Sequence, residues 1–219
     1  MRSTSSRPMG HRSGFSLIEI LVVITIIGLL MTIGFGPVQN ALESGKVTKC
    51  KKNLQDIGQS MLVWKDQQNK GKWPKEGGMR FLLKMYKAGL IAGHNSETFL
   101  CPGTPDSNDT GPSGEPGSSY EDWDNISPDT ISYAGRDIEA NPIKSSDTST
   151  VIIGADDNDG RGNHKFITNI LYADGHTESF DIKSDQAEEI RNAFPDAEKN
   201  GLPVGPDSPY EPLRVLRGD

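Results

Sequence analysis

The sequence predicts an α+β protein in which a long amino-terminal helix, apolar through its first half, packs its second half on a small antiparallel sheet. Three observations predict it. Phe15 to Phe35 is an almost unbroken apolar run that carries a single charge, Glu19. Val47, Cys50, Leu54, Ile57 and Met61 then recur at helical spacing, so an apolar stripe leads from that run into a folded body. Asn169 to Phe180 centres on Asp174-Gly175, a favoured hairpin turn between apolar-rich flanks.

Each element can be justified in chain order. Residues 1–14 form a short leader that carries Arg2, Arg7, Arg12 and His11 and no acid. Residues 15–36 form a helix of about 20 residues, long enough at about 1.5 Å per residue to span a hydrocarbon core of about 30 Å. A cleaved secretory signal has a shorter apolar stretch and a small-residue cut site, so this run is expected to stay in the mature chain. The basic leader keeps its own end cytoplasmic and places the remainder across the membrane. Residues 37–69 continue the helix, with Gly34, Gly36 and Pro37 expected to kink or loosen it, and Lys70 to Pro74 ending it.

Residues 70–195 make the α+β body. Met79 to Leu90 reads as a second helix stopped by Gly89, and Phe99 to Pro102 as a short strand or extended segment. Gly103 to Ser119 is rich in Gly, Pro, Ser and Asp and reads as a surface loop. Thr150 to Ile153 is a β-branched run, hence a buried strand. Ser184 is placed to cap a last helix that reaches Phe194. The tail, 196–219, with Pro203, Pro206, Pro209 and Pro212, is expected to be irregular.

Charge narrows the function classes. The 30 acids outnumber 23 basic residues, and three of the latter sit in the leader. Nucleic acid is therefore not an expected partner. The acid-rich stretch from Asp106 to Asp129 reads as a solvated loop, with cation binding as its alternative. Two cysteines, Cys50 and Cys101, are too few for a disulfide-framed scaffold. They either form one bridge or pack as small hydrophobes, and the sequence does not choose.

Glu19 is the sharpest local signal. A carboxylate near the lipid core costs about 2.5 kcal/mol or more and asks for a partner. Gly14-Phe15-Ser16-Leu17-Ile18-Glu19, after a basic leader and before an apolar helix, resembles the class III signal of type IV pilins and type II secretion pseudopilins. The resemblance implies that a prepilin peptidase cuts between Gly14 and Phe15 and methylates the new amine. It also implies that Glu19 pairs with the terminal ammonium of a neighbouring copy. Inner-membrane insertion, a periplasmic carboxyl-terminal body and extraction into a filament of pilins or pseudopilins follow from the same resemblance.

A second resemblance lies further on. His164, nine residues, then Asp174-Gly175 is similar to the H-x9-DG pattern of planctomycete-type prepilin-like proteins, as are Cys50-x-x-Asn53-Leu54-x-x-Ile57-Gly58 and Phe99-Leu100-Cys101-Pro102. Physically, His164 is expected to hydrogen-bond the hairpin turn and hold a loop on the sheet. A sharper alternative gathers His164, Asp174 and His176 around a metal. Asp156, Asp157 and Asp159 give a partial calcium loop, departing from the EF-hand at Ala155 and lacking its closing Glu. No cofactor is expected to be required, and calcium is the one these acids would suit. No Ser-His-Asp arrangement is advertised, so an enzyme is not expected, and the resemblance to pilins and pseudopilins implies a structural filament subunit. Its alternatives are a membrane-anchored binding module and a metal-dependent periplasmic enzyme using His164 and Asp174.

Overall fold

The computed structural model describes residues 15–144, 149–156, 163–197 and 201–219, apart from the side chains of residues 32–37. The chain divides into two compact units, Met1–Leu42 and Glu43–Asp219. In the first, helix α1, Leu17–Gln67, begins after Ser16 and runs without a break through Gly34, Gly36 and Pro37. The described apolar side chains from Phe15 to Met31 all lie on the surface. Among the described residues no helix is long and apolar enough to cross a membrane. Described side chains on this run stop at Met31 and resume at Val38.

The second unit opens with the remaining turns of α1. Cys50, Leu54, Ile57, Met61 and Trp64 are buried there, on the stripe that the spacing predicts, extended by one further turn. Lys70 and Gly71 adopt left-handed backbone, and the Gly71 N–H bonds back to the Lys65 carbonyl at 2.8 Å, closing the helix. Helix α2, Met79–Lys87, stops three residues short of the expected Leu90. Gly89 takes a φ of 73°, and the Leu90 N–H returns to the Met85 carbonyl at 3.0 Å. Gly93–Phe99 winds into 3-10 turns, which leaves Leu100 extended before Cys101.

Five antiparallel strands follow in the order β4-β3-β2-β1-β5, with β1 at Ala134–Arg136, β2 at Ile152–Ala155, β3 at Ile167–Tyr172, β4 at Thr177–Asp181 and β5 at Leu216–Arg217. Side-chain alternation sends Ile153 and Leu171 to the core shared with α1 and α2, while Ile152 and Ile170 face a second core. That second core contains Ile182, Ala187, Ala197, Leu202, Leu213 and Leu216. The tail is therefore not irregular as expected. Its 3-10 turn, Glu211–Val215, and strand β5 cover the far face and edge of the sheet.

Two local expectations are corrected. The hairpin does not turn on two residues: Leu171 pairs with Thr177, and the Tyr172 N–H bonds to the His176 carbonyl at 3.0 Å, so Ala173, Asp174 and Gly175 form the loop. Gly175, at φ 85°, supplies the left-handed residue that a three-residue loop requires. Ser184 does not cap a helix with its side chain. Its hydroxyl donates to the Asp181 carbonyl at 2.7 Å, and a 3-10 turn at Asp185–Ala187 precedes α3, Glu188–Ala193.

Candidate functional site

Two places concentrate chemistry. The first is the start of α1. The Ser16 N–H donates to Glu19 Oε2 at 2.7 Å, the return half of a capping box, and the first turn of the helix suits a carboxylate. Within its own chain Glu19 thus already caps the helix. Phe15, Ile18, Val22 and Val23 surround it as exposed apolar neighbours. Gly14 lies outside the described residues.

The second place is buried between the helix and the sheet. α1 contributes Cys50, the segment after the 3-10 turns contributes Cys101, the end of β2 contributes Asp156, and the residues before β3 contribute His164. Cys50 and Cys101 are joined as a disulfide with a Cα–Cα distance of 5.2 Å, which decides between the two readings left open by the sequence. His164 Nε2 lies 3.3 Å from Cys101 Sγ and 3.6 Å from Asp156 Oδ2, and Nδ1 lies 3.1 Å from Glu43 Oε1. Burial holds the His164 imidazole below its ordinary value, opposed by the Glu43 hydrogen bond and charge and reinforced by Lys46. Burial thus favours the neutral ring, with Nδ1 facing the Glu43 carboxylate.

These contacts correct the expected role of His164. It bonds neither the hairpin turn nor Asp174: it precedes β3 whereas Asp174 follows that strand, a separation of about 20 Å at the rise of an extended strand. Asp174 and His176 instead meet each other at the surface, side chain to side chain, with the His176 ring stacked on Tyr172 at 4.3 Å. Burial raises the Asp174 carboxyl, but the hydrogen bonds from the His176 main chain and ring lower it further, below its usual value. Gly175 is used for packing. A Cβ there would lie 2.9 Å from Leu62 Cδ1, and one on Gly58 would lie 2.6 Å from Leu171 Cδ1, so the two glycines let the hairpin close on α1.

The calcium reading is also redirected. Asp157 and Asp159 lie outside the described residues. Asp156 is buried, its Oδ1 accepting the Asn169 main-chain N–H at 2.5 Å and its Oδ2 the Asn169 side-chain amide at 2.6 Å. Its carboxylate faces the interior beside His164.

Sequence reasoning missed Glu43 and Asn169. Glu43 was findable, because it extends the 3–4 stripe of Val47, Cys50 and Leu54 by one step towards the amino terminus. Asn169 had no such signal: its role depends on the pairing of β2 with β3, since it also donates to the Val47 carbonyl at 3.2 Å and accepts from Ser179 at 2.7 Å. Asn53, by contrast, falls in a motif already singled out, and its amide donates to the Leu100 carbonyl at 2.9 Å just before Cys101.

The chain combines a basic leader, an exposed apolar run from Phe15 to Met31 and an acid in the first turn of α1. Comparison with known families agrees: residues 9–35 match the prokaryotic N-terminal methylation motif, which supports a type IV pilin-like, prepilin-type protein. No curated protein matches the chain, and no solved structure does.

Proposed function

We propose that the chain is a structural subunit of a type II secretion pseudopilus or of a type IV pilus-like filament. A prepilin peptidase cuts between Gly14 and Phe15 and methylates Phe15. Residues 15–36 hold the subunit in the inner membrane with its body in the periplasm until it is extracted into the filament. The observation that carries the reading is the methylation motif over residues 9–35. The exposed apolar side chains from Phe15 to Met31 support it, because they need either lipid or neighbouring helices to stay dry.

Glu19 then serves two partners in succession. Inside its own chain it accepts the Ser16 N–H, and in the filament its second oxygen takes the methylated ammonium of the adjoining copy. Helix packing supplies the association and this pair sets the register. Such an assembly needs no resident cofactor and no catalysis.

Mass spectrometry of the membrane-extracted protein tests the processing step: the expected terminus is methylated Phe15, and a chain still beginning at Met1 contradicts it. Glu19→Ala tests assembly. The variant is expected to be cut normally but to be lost from filaments, whereas undiminished incorporation would overturn the role of Glu19 in assembly.

A further inference from the structure

The surroundings of the disulfide are unusual for a bridge that only staples. His164 turns Nδ1 to the Glu43 carboxylate at 3.1 Å and Nε2 to Cys101 Sγ at 3.3 Å and Asp156 Oδ2 at 3.6 Å. Three electron-rich atoms thus converge. Cys50 Sγ, Cys101 Sγ and His164 Nε2 all lie within 4.8 Å of one another, and all three residues are buried. A histidine oriented through its far nitrogen by a carboxylate is the usual outer arrangement of a metal ligand. Asn169 orients Asp156 in the same way, through two hydrogen bonds.

We propose that the reduced chain binds a zinc-class divalent cation through Cys50 Sγ, Cys101 Sγ and His164 Nε2, with Asp156 Oδ2 as fourth ligand, so that disulfide and metal are alternative states of one site. This goes beyond the filament reading and does not depend on it. Two thiolates, one imidazole and one carboxylate are a ligand set that suits tetrahedral zinc. The 5.2 Å Cα–Cα separation keeps both sulfurs within reach of one ion about 2.3 Å from each. Pro102, Lys49, Asn53 and Asp106 line a surface hollow of about 410 Å³ that reaches Cys101, giving a reductant and an ion a way in.

The chemistry balances with external reagents. A phosphine and water break the S–S bond, the phosphine leaves as its oxide, and two thiols form. Metal binding releases the two thiol protons. A small-molecule disulfide reverses the state by taking the two sulfur electrons, regenerating the bridge and releasing two small thiolates and the ion.

The test uses the full chain in detergent, reduced by a phosphine without oxygen and then freed of it. Cobalt(II) is expected to give a sulfur-to-cobalt charge-transfer band and strong visible absorption of tetrahedral type, both bleached by zinc at one equivalent. The unreduced chain is expected to give neither. His164→Ala should weaken cobalt binding by more than about tenfold, and Glu43→Gln by about 10–100-fold, as expected for an orienting partner. Surface binding at His176 would give no charge-transfer band and would survive His164→Ala. Circular dichroism accompanies each arm: if reduction has unfolded the chain, zinc is expected to restore the ellipticity. No charge-transfer band from a folded reduced chain, equal affinity in His164→Ala, or an unfolded chain that zinc does not restore would each overturn the proposal.

Discussion

The two stretches of α1 use similar side chains and leave them in opposite surroundings. Leu17 is 82% exposed and its neighbours to Met31 are exposed with it, whereas Leu54 is 0% exposed and is joined in the core by Ile57 and Met61. Hydrophobicity alone does not make a core. What separates them is pattern: the first stretch is apolar on every side, whereas the second interleaves its stripe with Lys49, Lys51, Lys52, Gln55 and Asp56. An all-round apolar helix has no preferred face to bury against one sheet, and a striped helix does.

The largest expected effect comes from the covalent link that only the second stretch makes. The bridge closes a loop with a sequence separation of 51, so Cys101→Ser is expected to cost about 4 kcal/mol of unfolding free energy in the chain-entropy account. Urea denaturation of the metal-free protein, followed by tryptophan fluorescence, measures it. Leu54→Ala follows at about 3 kcal/mol, from lost burial plus a cavity, and Leu21→Ala in the same assay is expected to stay within about 0.5 kcal/mol. Equal losses at Leu21 and Leu54 would break the contrast between the stretches.

Gly175→Ala sharpens it at the sheet side. A φ of 85° and a Leu62 methyl 2.9 Å from the new Cβ are expected to cost about 1–2 kcal/mol, read from the same denaturation curves. Asp174→Ala, which leaves the glycine in place, is expected to cost less. The smallest effect is electrostatic. Burial raises the Glu76 carboxyl, but the Lys84 hydrogen bond and charge lower it further, so its folded value lies below 4.5. Stability from this group is present above that value and is lost as the pH falls through the folded one. Glu76→Gln should therefore be less stable near neutrality, by at most about 1 kcal/mol for a partly exposed pair, and should converge with the parent in acid.

Local patterns were legible where one segment decides its own structure. The Val47–Met61 stripe, the Gly89 stop and the existence of the 169–180 hairpin all follow from neighbours in sequence. β1 and β5 were not legible, being three and two residues long and stabilised only by pairing with partners far along the chain. The proline-rich tail misled for a related reason: Leu202, Leu213 and Leu216 are too widely spaced to show a period, yet all three are buried on the far face of the sheet. In the buried site the Cys-Cys-His grouping was only half legible. Its members were singled out separately, but their convergence depends on where β2, β3 and α1 meet, which no spacing encodes.

The Cys50–Cys101 bond also has a mechanical side. Cys50 is the first fully buried residue among the described side chains of α1, so a pull on the helix from its amino-terminal side reaches this covalent tie before it reaches the Leu54, Ile57 and Met61 contacts. Tension then passes through Cys101 into the segment before β1, and the helix cannot be peeled from the sheet one turn at a time. Cutting the bond turns a load shared by the whole core into one borne by successive side chains, and the force needed to open the body falls accordingly.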